Sequence, residues 1–163
     1  MVAFNGVSSF GYCFLVAATC TAATGNVVTV YMLTPLCNGT EACIWNGGAS
    51  MDIGVQIMVK QINKKRLLRG NASLNLVVKD SHCDREYALK HLVDIISLDK
   101  SDWPFGIIGA GCSGATRAIA PLFNEVRMPL ISHVATAVDL SQREKFPNFY
   151  RILPPDGVQI EVW

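Results

Sequence analysis

Apolar positions recur along this chain with two different spacings, and their alternation lays out the secondary structure. Val27 to Leu33, VVTVYML, is a run of β-branched and apolar residues bounded by Thr34-Pro35, which predicts a buried first strand. A loop from Pro35 to Gly48 follows. Met51, Val55, Met58, Val59 and Ile62 then fall on one helical stripe. Gly70-Asn71 marks a turn, and Leu74 to Val78 predicts a second strand that ends at Asp80. Ala88, Leu92, Ile95 and Ile96 form the next helical stripe. Phe105-Gly-Ile-Ile108 is a third apolar run. It meets a glycine turn, Gly109-Ala-Gly-Cys-Ser-Gly114, before a third stripe at Ile119, Leu122, Phe123 and Val126. Pro129-Leu-Ile-Ser132 reads as a fourth short strand and Phe149 to Leu153 as a fifth extended run. Pro154-Pro155 then stops the chain, and Asp156 is placed to cap a new helix.

Strands that alternate with helices imply a mostly parallel sheet with helices on both faces, the α/β class. The 163 residues, half of them apolar, suffice for one domain at most. The chain reaches Trp163 early in a new helix, so residues 26–163 read as the N-terminal part of a domain rather than the whole of it.

Charge narrows the partners. Fourteen basic and 13 acidic residues are scattered to a net +1, and Lys64-Lys-Arg66 closes a helix rather than forming a stripe. Nucleic acid is therefore not an expected partner. At the N-terminus, Phe10 to Ala18 is almost wholly apolar, with small residues following at Thr21-Ala-Ala23 and Ala23-Thr-Gly25. A bilayer span needs about 20 apolar residues, so residues 1–25 read instead as a secretory signal peptide, although no Lys or Arg precedes the apolar core. Cys13 and Cys20 leave with that leader. Cys37, Cys43, Cys83 and Cys112 remain, an even number in an oxidising compartment. Asn38-Gly-Thr40 and Asn71-Ala-Ser73 are glycosylation sequons in expected surface loops.

The glycine turn carries the candidate chemistry. Gly109, Gly111 and Gly114 spell the G-x-G-x-x-G of dinucleotide sites. That fingerprint belongs after a first strand, with an acidic residue at the end of the next one. Here it follows the third strand, and the next strand ends in Ser132-His133, with Asp139 beyond a further loop. No redox cofactor is expected. The same geometry suits a smaller anion: Ser113 and nearby backbone N–H groups at a helix start can hold a carboxylate, with Thr136 in the following loop as a second hydroxyl. Simple capping of the helix by Ser113 is the competing reading.

Four runs then fall in one order and spacing: Val78-Lys-Asp-Ser-His-Cys-Asp84, Gly109-Ala-Gly-Cys-Ser113, Pro129-Leu-Ile-Ser-His-Val-Ala-Thr136 and Leu140-Ser-Gln-Arg-Glu-Lys-Phe-Pro-Asn-Phe-Tyr-Arg151. Together they resemble the extracellular Venus flytrap domain of class C G-protein-coupled receptors, most of all metabotropic GABA (GABA-B) subunits. Natriuretic-peptide receptors and receptor guanylate cyclases share that domain and form the alternative. The resemblance implies lobe 1 of a periplasmic-binding-protein-like type I fold, a receptor rather than an enzyme, with no cofactor. It also implies a disulfide between Cys83 and Cys112, which removes both thiols from zinc binding with His82. Cys37 and Cys43 have no family counterpart and are left to pair with each other.

By the same resemblance, Ser113 and Thr136 hold a ligand carboxylate and Trp45 packs on its aliphatic chain. Packing of Trp45 over the first strand is the equal alternative. Leu153 stands where the family has a pocket histidine, so the ligand is GABA or another amino acid, or the chain is a non-binding partner subunit. Leu89 and Val93, on the helix expected from Arg85 to Leu98, are candidates for a subunit contact or for core packing. The other implied partner is a G protein, reached through a membrane domain, with the present region on the extracellular face. His91 and His133 are expected in surface or packing roles.

Overall fold

The computed structural model describes residues 27–36 and 47–160. Within them, β1 (Val27–Thr34), β2 (Ser73–Asp80), β3 (Gly106–Ile108), β4 (Leu130–Ser132) and β5 (Phe149–Arg151) form one sheet in the order β2-β1-β3-β4-β5. Every neighbouring pair is parallel, with Tyr31 beside Val77 and Ile107, and Leu130 beside Ile107 and Phe149. All carboxyl ends therefore lie along one edge. The chain steps outward one way from β1 to β2 and the other way from β3 to β4. The crevice between β1 and β3 is thus a topological switch point, where open parallel sheets bind ligands.

Helix α1 (Gly47–Lys64) joins β1 to β2 and packs on those two strands, mainly on β2. Helices α2 (Arg85–Ile96) and α3 (Ser113–Glu125) pack against each other, and right-handed crossovers place them on the opposite face. Their layer holds the core, in which Leu33, Ile107 and Leu130 from the sheet meet Leu92, Ile95, Ile119 and Phe123 from the helices. Burying such a side chain contributes roughly 1.5–3 kcal/mol, so this face accounts for most of the hydrophobic stabilisation. Helix α4 (Asp156–Ile160) follows β5.

The periodicities locate each element, and the structure corrects individual positions. Met58 is 58% exposed, because it lies beside the half-buried arc of α1, which runs through Met51, Val55, Val59 and Ile62. Leu122 is 40% exposed at the edge of the α3 arc, and Ile96 is only half-buried in the last turn of α2. Helix α2 ends at Ile96 rather than Leu98, with Ser97 as its C-cap, and β5 ends at Arg151 rather than Leu153. Asp156 is the first residue of α4 rather than a residue before it. Among the described residues no helix is long and apolar enough to cross a membrane.

Candidate functional site

The turn from β3 into α3 is held from three sides. Gly109 has φ +121°, and a Cβ there would stand 2.1 Å from the Leu33 carbonyl oxygen, so only glycine lets β3 close against β1. Its N–H donates to the Ile131 carbonyl at 2.8 Å. One residue on, the Ala110 carbonyl accepts from both the Thr116 and the Ser132 hydroxyls, each at 2.9 Å. Thr116 and Ser132 are fully buried, and these bonds satisfy their hydroxyls. Ser132 Oγ also accepts from the Ala135 N–H at 3.0 Å, so one side chain shapes both the glycine turn and the loop after β4.

A disulfide joins Cys83 to Cys112, with Cα atoms 5.3 Å apart. It ties the β2–α2 loop to the residue that precedes α3. His82 and Cys83 take left-handed backbone angles of +49° and +57°, and the Asp80 carboxylate supports them by accepting from the His82 N–H at 2.8 Å. The same oxygen accepts from the Leu36 N–H at 3.0 Å, which fastens the end of β1 to the end of β2. Asp84 then caps α2 by accepting from the N–H groups of Glu86 and Tyr87.

Ser113 does not cap α3; Cys112 is the N-cap and its side chain accepts no hydrogen bond. No acidic residue lies in the first turn, so the positive end of the helix dipole is not offset from within the helix. Ser113 is half-buried, and its Oγ accepts from the Ala137 N–H at 3.3 Å. That contact brings the glycine turn against the β4 loop one residue past Thr136, which is also half-buried. Accepting from Ala137 leaves the Ser113 hydroxyl its proton to donate, the polarity a carboxylate requires. Among the described residues, nothing outside its own helix and chain neighbours comes within 4 Å of where a Cβ on Gly114 would stand. The site can thus offer a hydroxyl donor and helix N–H groups to an anion.

Farther along the loop, Arg117 of α3 grips Asp139 through two bonds of 2.6 and 2.7 Å. The paired guanidinium holds the Asp139 carboxyl below the usual carboxylate range, and the carboxylate in turn raises the Arg117 pKa. Among the described residues, neither ring nitrogen of His133 has a hydrogen-bond partner, and burial pushes this imidazole below its ordinary pKa. Leu153, just past β5 on the same edge, is 42% exposed.

The structure therefore brings together the loops of Ser113 and Thr136 and the two cysteines Cys83 and Cys112. Trp45, Asn38, Cys37, Cys43 and the leader at 1–25 lie outside the described residues. Asn71 is exposed, at φ +57° in a short 3-10 turn, where a sequon is accessible. Leu89 packs half-buried against the core, whereas Val93 is 52% exposed. The positioning roles of Asp80, Thr116, Ser132, Arg117 and Asp139 had no sequence signature, because their partners are set by where chain segments meet.

This architecture, a parallel sheet whose β3 and β4 loops meet beside its switch point, is that of a periplasmic-binding-protein-like α/β domain. The chain belongs to the family described as the receptor family ligand binding region, whose model matches residues 50–163. Gamma-aminobutyric acid type B receptor subunit 1 of Mus musculus is 29% identical over 111 residues, 68% of this chain and 11% of the relative. Metabotropic glutamate receptor 8 of Homo sapiens is 28% identical over 123 residues, 63% of this chain and 13% of the relative. Gamma-aminobutyric acid type B receptor subunit 2 of Rattus norvegicus is 29% identical over 103 residues, 63% of this chain and 11% of the relative. The chain thus spans little more than a tenth of the curated relatives it matches. It is a ligand-binding region of the class C receptor type, and these relatives are receptors rather than enzymes.

Proposed function

We propose that this chain forms the first lobe of an extracellular amino-acid sensor of the GABA-B type. The ligand carboxylate binds at Ser113 and Thr136, where the α3 N-terminus supplies further N–H donors. The observation that carries this reading is the Ala137 N–H bond to Ser113 Oγ, which leaves the hydroxyl its proton to donate at the start of α3. Trp45 covers the ligand's methylene chain. A second lobe closes over the ligand and shifts a dimer between two arrangements that a membrane domain transmits to a G protein. Residues 1–25 direct the chain into the secretory pathway, Asn38 and Asn71 carry glycans, and Cys37 pairs with Cys43. Val93, with the flank of Leu89, contributes to the subunit contact; the 52% exposure of Val93 supports this.

Saturation-transfer NMR with γ-aminobutyrate or L-glutamate tests the ligand assignment on the chain itself. An isolated lobe binds in about the millimolar range, because half of its contacts are missing. A hydrogen bond to a charged group is worth about 1.5–3 kcal/mol, so Ser113→Ala lowers affinity roughly tenfold or more. Unchanged affinity in both Ser113→Ala and Thr136→Ala sinks the carboxylate assignment. A second reading, a partner subunit that binds no amino acid, is favoured by Leu153 at the position where the family carries its pocket histidine. Absence of saturation transfer from every amino acid tried, with the fold intact, is its signature.

A further inference from the structure

Arg151, the last residue of β5, sits half-buried behind the loop that carries Thr136. Its Nη1 donates to the Ala137 carbonyl at 2.9 Å and to the Ala135 carbonyl at 3.3 Å, the carbonyls of the two residues flanking Thr136. Its Nη2 donates to the Ser141 hydroxyl. Between those tethers, the Thr136 carbonyl accepts from the Asp156 N–H at 2.9 Å, and the Ala137 N–H donates to Ser113 Oγ.

Three consecutive peptide planes are thereby fixed. Arg151 holds the plane before Thr136, Asp156 and Ser113 hold the plane after it, and Arg151 holds the next. Because peptide units are planar, fixing the planes on both sides of a Cα fixes its φ and ψ and so the direction of its Cβ. A rigid fork of donors can reach two carbonyls and a hydroxyl at once; an ammonium on a flexible stem cannot hold the same three.

We propose that Arg151 is the positioning residue of the cradle: it aims the Thr136 hydroxyl and presents the Ala137 N–H to Ser113 without touching ligand. This rests on the amino-acid reading of the site, and its test separates the two. In Arg151→Lys, amide hydrogen exchange without ligand is expected to speed up at least tenfold at Ala137, while the Thr116 amide inside α3 keeps its rate. Equal Ala137 exchange in both proteins overturns the proposal. Should Arg151→Lys fail to fold, Ser141→Ala removes one tether alone, and faster Ala137 exchange in that variant is the supporting result, equal exchange the overturning one.

The ligand arm uses γ-aminobutyrate in a cycle with Thr136→Ala. Arg151→Lys should weaken binding severalfold when Thr136 is present and less than twofold when it is Ala. Equal losses in both backgrounds show a merely structural role and overturn the proposal. Absence of binding by the unsubstituted chain sinks the amino-acid reading instead, and the Ala137 exchange rate then decides the role of Arg151.

Discussion

Replacing Cys83 and Cys112 together by serine tests how much of this fold depends on its cross-link. The bridge closes a loop with a sequence separation of 29 residues, enclosing α2, β3 and the first part of the glycine turn. On the chain-entropy account such a loop restrains the unfolded chain by about 3.6 kcal/mol at 25 °C, against a typical domain stability of 5–15 kcal/mol. For a chain of this size that corresponds to a fall in Tm of about 10–15 °C. Thermal unfolding by circular dichroism, with and without reductant, reads it directly. Reductant should lower the Tm of the parent by much more than that of the double variant, in which only the proposed Cys37–Cys43 pair is left to reduce. Urea titration adds a second measure: the unbridged unfolded chain exposes more surface, so the slope m should rise in the variant. A Tm within 3 °C of the parent, together with an unchanged m, would refute the reasoning. So would alkylation of Cys112 in the parent without reductant.

Gly109→Ala places a Cβ 2.1 Å from the Leu33 carbonyl oxygen at φ +121°, and should cost about 3 kcal/mol or prevent folding. Gly114→Ala, with open space around it, should leave the Tm within a few degrees; chemical denaturation of the pair decides. His133 carries the pH dependence. Its folded pKa lies below 6.5, so the unfolded state binds the extra proton. Stability is complete above pH 6.5 and declines as pH falls toward the folded pKa. Tm measured from pH 7.5 to 5 should decline in the parent and stay nearly flat in His133→Gln; parallel profiles would remove His133 as the cause. The exposed Arg117–Asp139 pair titrates in a separate window, since a depressed Asp139 is lost only as pH falls below 3.8.

The order of elements was legible in the chain because it follows from local spacing. VVTVYML reads as a strand, although it is buried only from Met32 on and Val27 is exposed, and Ala88, Leu92 and Ile95 form one helix face. Exposure of Met58 and Leu122 was not legible: a stripe says which side of a helix is apolar, not how wide the surface opposite it is. Within the site, Ser113 and Thr136 could be named from the turn and from a resemblance, whereas the residues that aim them could not. Arg151 reads in sequence as one more charge at a strand end.

By itself, then, the sequence determined a parallel α/β domain, a helix that starts from the Gly109–Gly114 turn and the residue types able to meet a carboxylate. These depend on backbone propensity and on periods of two and 3.6 residues, which neighbours in the chain enforce. Only the tertiary structure decided that Ser113 accepts from Ala137, that Ala110 gathers two buried hydroxyls, and that Arg151 grips both sides of Thr136. All but the Thr116 bond, which spans 6 residues, join positions 14 to 24 residues apart. Their geometry exists only once the sheet has fixed which strand ends lie side by side.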